Sequence, residues 1–126
     1  MHALLDTNAL LWLLDGDDRL GPAARRAIEA AESLAVSVGS LWEIAIKVSI
    51  GKLAPIPGLH GAVRDLGFER LVISDEHLTV LATLPLVHRD PFDRLLISQA
   101  LVDGLAVVTS DEVFVRYGTT VVDATT

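Results

Sequence analysis

Four short aliphatic runs, each giving way to a helical pattern, constrain this chain more than any other feature of its sequence. They are HALLD (2–6), LAVSV (34–38), FERLVIS (68–74) and LAVVTSD (105–111). Such brief, almost continuously apolar runs are what strands covered on both faces require. Between them the helix signals are regular. One helix is expected over about 7–14. Pro22 opens a second, which runs to about Ala31, and a third over about 40–50 is stopped by Gly51. After the loop GKLAPIPG a short helix ends near Leu66, and another occupies about 75–83 until Pro85 breaks it. Pro91 begins a strongly apolar helix that ends at Gly104, then comes a single helical turn, and TTVVDA (119–124) reads as a short edge strand. Strands alternating with helices imply βαβ crossovers, hence an α/β fold with a mostly parallel sheet. No repeat, low-complexity tract or linker divides the chain, so residues 1–126 are expected to form one domain.

Composition narrows the chemistry. There is no cysteine, which removes disulfides and thiolate zinc sites. The start, MHALLD, is strand-like with no basic leader, and no apolar stretch is long enough to cross a bilayer, so a cytoplasmic protein is the expectation. The formal charge of −7 argues against a phosphate-binding surface, which is ordinarily basic. That objection weakens if several acids are gathered to hold cations, because net charge does not say where charges sit.

In open parallel sheets ligands bind beyond the carboxyl ends of the strands. Asp6 ends the first run and Asp111 the fourth; Glu43 and Asp93 lie in the first turns of helices that follow. Three or four carboxylates on one sheet edge suit Mg²⁺ or Mn²⁺, hard cations that prefer oxygen ligands and water. Each acid also has an ordinary explanation. Asp6 or Thr7, and Ser110 or Asp111, are good helix caps; Asp90 caps the helix that Pro91 opens, with Asp93 reaching back; Glu43 and Lys47 form a helical i,i+4 pair. Spacing alone leaves these alternatives open.

The wording around the acids carries more. LLDTNALLWLL, SLWEIAIK, HRDPFDRLLISQA and VVTSDEVF, in this order, closely resemble the PIN-domain family, and within it the VapC-type toxins of toxin–antitoxin pairs. The resemblance spans essentially the whole chain. It implies a three-layer α/β/α sandwich with four to five strands and a Mg²⁺- or Mn²⁺-dependent endoribonuclease leaving 5′-phosphate and 3′-hydroxyl ends. Asp6, Asp93 and Asp111 would be the principal metal ligands, for one or two ions. Glu43 would ligate, directly or through water, or prepare the attacking water. The resemblance further implies a small VapB-like antitoxin that covers the groove, and a homodimer. Asp90 is a further candidate for the metal or its water shell. Thr7, Asn8 and Ser110 could orient the carboxylates. Lys47, Arg89 and Arg94 are candidates for meeting phosphates, with Lys52 and Arg116 behind them. Trp12 and Trp42, set among aliphatics, are read as core, or alternatively as part of an apolar groove for an antitoxin helix.

Other readings fit less well. A receiver-type signalling domain needs adjacent acids after its first strand and a late Lys, whereas this chain has a lone Asp6 and ends TTVVDATT. An aspartate-nucleophile phosphatase needs Asp-x-Asp, and Asn8 stands in the second place. A PIN nuclease of RNA processing without an antitoxin shares the same site. A non-catalytic α/β binding module, its acids merely capping helices, is the alternative of another class.

Overall fold

Hydrogen bonding in the computed structural model, which describes residues 1–126, turns the alternating pattern into five strands and seven helices. The order is β1 (His2–Leu5), α1 (Thr7–Asp15), α2 (Pro22–Ala30), β2 (Ser33–Ser37), α3 (Val38–Ser49), α4 (Leu59–Asp65), β3 (Phe68–Leu71), α5 (Asp75–Thr83), α6 (Pro91–Asp103), β4 (Ala106–Thr109), α7 (Val113–Arg116) and β5 (Val121–Asp123). The strands lie in the order β3-β2-β1-β4-β5, and every pairing is parallel. "Mostly parallel" therefore becomes wholly parallel.

Alternation along each strand divides the core in two. Ala3, Leu5, Val36 and Val108 face a cluster that includes Leu10, Ile28, Ile44 and Val63, from α1 to α4. Leu4, Ala35 and Val107 face the other way, against Leu96, Ile97, Ala100 and Phe114 of α6 and α7. Three layers result. The chain winds outward from β1 to β3 with its helices on one face. It then crosses back to β4 on the far side of β1, which places α5, α6 and α7 on the opposite face, as right-handed crossovers demand. β1 is thus the strand at which the winding reverses, and the crevice beyond β1 and β4 is where such sheets bind ligands.

Two local features differ from expectation. The third strand pairs only through Leu71, because Ser74 and His77 form a capping box that starts α5 and turns the chain away from the sheet. Trp42 is not core: it is 60% exposed, edge-on to Phe92 at 5.3 Å between ring centroids. Trp12 does pack against the larger cluster, with the Arg19 guanidinium over its ring. No helix is long and apolar enough to cross a membrane.

Candidate active site

Asp6 follows β1 directly and is buried. Its Oδ1 accepts the Ala9 N–H at 2.8 Å, capping α1, and its Oδ2 accepts the Thr109 hydroxyl at 2.6 Å. The same Thr109 oxygen accepts the Asp111 N–H at 3.0 Å, so one hydroxyl ties the ends of β1 and β4 together. Burial raises the Asp6 carboxyl above its usual range against those two hydrogen bonds, and the charges of Asp111 and Glu43 push the same way. Capping and clustering are therefore both true of this residue.

The other acids converge from separate elements. Glu43 projects from α3; its Oε1 accepts the Thr7 hydroxyl at 2.7 Å and its Oε2 pairs with Lys47 at 3.1 Å. Asp93, in the first turn of α6, meets His88 Nε2 at 2.8 Å through Oδ2. Its carboxyl is pushed up to about 6, chiefly by burial, with Asp90 and Asp6 adding and His88 opposing. Asp111 is exposed; its Oδ1 accepts the Val113 N–H at 3.0 Å, turning the chain into α7. Asp6 feels the charges of Glu43 and Asp111, and Asp93 feels that of Asp6, so the four form one electrostatic group.

One atom each of His88, Asp93 and Asp111 lie within 4.8 Å of one another. Ligands of an octahedral ion held at about 2.1 Å stand roughly 3 to 4.2 Å apart, so a divalent cation fits this donor set with small side-chain movement. The carboxylates are the oxygen donors a hard cation prefers; the imidazole is the one softer member.

The remaining candidates separate. Asp90 Oδ1 accepts the N–H groups of Phe92 and Asp93, which is helix capping, although its charge reaches Asp93. Thr7 holds Glu43 rather than capping. Ser110 is exposed beside Asp111, and the hydroxyl that ties the acids belongs to its neighbour Thr109. Asn8 is exposed at a separate hollow with Trp12, Arg19 and Leu53. Lys47 is committed to Glu43; Arg89, Lys52 and Arg116 are exposed. Arg94 is turned from the acids and donates to the carbonyls of Leu84, Pro85 and His88. A short loop after α5 needs its carbonyls satisfied, and the guanidinium fork supplies the donors.

His88 and Thr109 escaped sequence reasoning. A Thr at the end of an aliphatic run reads as a strand former. His88 stands outside any helix period, and its only signal was its place in HRDPFD.

Comparison with known proteins agrees with this architecture. The PIN domain profile matches residues 3–119. Ribonuclease VapC22 of Mycobacterium tuberculosis is 33% identical over 115 residues, which cover 86% of this chain and 85% of that protein. Among solved structures, VapBC2 from Rickettsia felis bound to a promoter DNA fragment aligns with a TM-score of 0.74 at 17% identity, over 97% of this chain and 98% of that one. DNA-bound VapBC from Salmonella typhimurium gives 0.71 at 18% identity, over 98% of each chain. At such identities these structures speak to the fold alone, whereas the profile and the mycobacterial relative reach further: this chain belongs to the PIN-domain family.

Proposed function

We propose that the chain is a metal-dependent endoribonuclease, a single nuclease domain acting in the cytoplasm as the toxin of an antitoxin-controlled pair. The observation that carries the reading is the gathering of Asp6, Glu43, Asp93 and Asp111 at the strand where the sheet reverses, each from a different element. Acids present only to cap helices or to pair with a neighbouring lysine would have no reason to share a crevice, since like charges there raise one another's proton affinity. Asp6, Asp93 and Asp111 would hold Mg²⁺ or Mn²⁺, with Glu43 completing the set. A bound divalent ion supplies activation of water and neutralisation of charge building on the phosphodiester.

The protein's own groups do the rest. Thr109 fixes Asp6 against rotation, and Thr7 fixes Glu43. Lys47, 3.1 Å from Glu43 Oε2, steadies the carboxylate that would orient a water or take its proton. Arg89, exposed and adjacent to His88 in sequence, and Lys47 of α3 would be the basic groups to meet a phosphate. The acidic balance of the chain is then partly the site itself.

The resemblance to a named VapC ribonuclease and to VapBC assemblies supports a protein partner as well as RNA. An apolar hollow bounded by Leu41, Ile44, Val48 and Ile56 would receive an antitoxin helix, and the chain would act as a homodimer. The test is cleavage of end-labelled RNA by the purified chain with Mn²⁺, with Asp6→Asn and Asp93→Asn beside it. Cleavage should require the ion and fall at least about a hundredfold in each variant; equal cleavage by all three proteins overturns the reading.

A further inference from the structure

His88 lies outside every helix and strand, in the segment between α5 and α6, yet its position is strongly determined. Tyr117, just after α7, places its hydroxyl against this segment, accepting the N–H groups of Val87 at 3.0 Å and His88 at 2.7 Å while donating to Pro85 O at 2.7 Å. Arg94 adds bonds to the carbonyls of Leu84, Pro85 and His88 at 2.9 to 3.2 Å. Two polar side chains from different elements thus clamp about five residues of backbone. That segment contributes little to the core beyond Leu84: Leu86 is 78% exposed and Val87 44%. What the clamp fixes is the His88 ring, with Nε2 2.8 Å from Asp93 Oδ2 and close to Asp111.

From this geometry we infer that His88 is a ligand of the ion held at Asp93 and Asp111, giving a mixed nitrogen–oxygen site that favours Mn²⁺ over Mg²⁺. The inference rests on the metal-site reading above and deepens it. Adjacent ligands around an octahedral ion at about 2.1 Å are separated by roughly 3 Å. The His88–Asp93 separation is close to that edge, so the imidazole would exchange its hydrogen bond for a coordinate bond by turning the nitrogen from Asp93 toward the ion. Mg²⁺ sheds water reluctantly and prefers oxygen, whereas an imidazole nitrogen is a better partner for transition ions. The simpler role, a ring N–H that only orients Asp93, calls for a donor and not for a nitrogen lone pair.

Glutamine separates these roles, because its amide N–H can still donate to Asp93 but offers no ring nitrogen. The experiment is pulsed EPR of Mn²⁺ bound to the full chain, with Mn²⁺ and Mg²⁺ affinities measured by titration for the unaltered protein and for His88→Gln. Coupling to ¹⁴N is expected, replaced by ¹⁵N coupling when histidine is ¹⁵N-labelled, and absent in His88→Gln. His2 pairs with Glu32 at the opposite end of β1, His77 pairs with Asp103, and His60 lies on α4 at the apolar hollow, so none of the three competes for the signal. The substitution should weaken Mn²⁺ about tenfold or more and Mg²⁺ less than about twofold. Mn²⁺ that binds the unaltered chain without ¹⁴N coupling overturns the inference and leaves the carboxylate site standing. An unchanged Mn²⁺/Mg²⁺ ratio in His88→Gln overturns it too, independently of any effect on folding in the variant. Failure of the unaltered protein to bind Mn²⁺ at all would overturn the metal-site reading with it.

Discussion

Asp93 is where, on the reading proposed above, proton and cation would compete most directly. Its folded carboxyl binds a proton more tightly than the same group in an unfolded chain, titrating near 6 rather than near 4. Protonation therefore favours the fold. The stabilisation is complete below about pH 4 and is lost as pH rises through about 6. In EDTA, the melting temperature of the native chain relative to Asp93→Asn should rise as pH is lowered from 7.5 to 4.5. A difference that stays flat across this window would count against the buried, charge-crowded placement of Asp93. Thr109 acts through Asp6 in a way that is separately measurable. Thr109→Val keeps the shape and strand propensity but removes the hydroxyl that holds Asp6 and receives the Asp111 N–H. Loss of such a supporting bond commonly costs 10- to 100-fold in metal affinity. Mn²⁺ titration of Thr109→Val should show a loss in that range, while near-native affinity would remove Thr109 from the site.

Elements meet closely at two glycines, and the two should respond differently to a methyl group. At Gly39, in the first turn of α3, an added Cβ would lie 2.5 Å from Leu95 Cδ2 of α6, the free end of a side chain that can turn aside. Gly21, before α2, faces backbone instead: the added atom would run into Thr125 and Thr126, which lie where the Gly21 N–H reaches Ala124 O and the Ala23 N–H reaches Thr126 O. Overpacking typically costs about 1–3 kcal/mol. Urea denaturation should place Gly39→Ala at the low end and Gly21→Ala at or above the high end; the reverse order would contradict the packing. Of these elements the helices were the more legible in sequence, because Pro22, Pro91, Gly51 and Gly104 punctuate them through chemistry that acts locally. Strand ends were less so. Val72 and Ile73 look like strand residues but are exposed beyond the last pairing, since a Ser74 cap decides where β3 stops. Trp42 misled for a related reason: an apolar neighbourhood in sequence does not say which side of a helix faces the core.

For the molecule as a whole, burial and neighbouring acids raise the Asp6 and Asp93 carboxyls, a crowding that a divalent ion would relieve on the reading proposed above. Saturating Mn²⁺ should therefore raise the melting temperature, by an amount corresponding to about 2.7 kcal/mol at a hundred times the dissociation constant. The shift should vanish in the Asp6→Asn, Asp93→Asn double variant. Equal shifts in both proteins, at matched ionic strength, would mean that the ion binds elsewhere. The overall architecture could be read from the alternation of strand and helix, since the right-handed crossover rule leaves few ways to wind such a chain. The set of site acids could not. Distances between Asp6, Glu43, Asp93 and Asp111 depend on a strand order that no local pattern encodes, and only the wording around them singled these acids out. His88 needed more still, because Tyr117, 29 residues further on, helps Arg94 of the following helix decide where it stands.

The bond from Thr109 to Asp6 spans 103 positions of sequence. A chain emerging from the ribosome carries Asp6 and Glu43 early, but β1 lacks one of its two neighbouring strands until residues 106–109 appear. Translation covers the stretch between Glu43 and Asp111 in several seconds at about 5–20 residues per second. Throughout that interval the nascent protein holds half of a crevice and no way to close it. On the reading proposed above, the crevice is completed only once β4 has been made and has paired with β1.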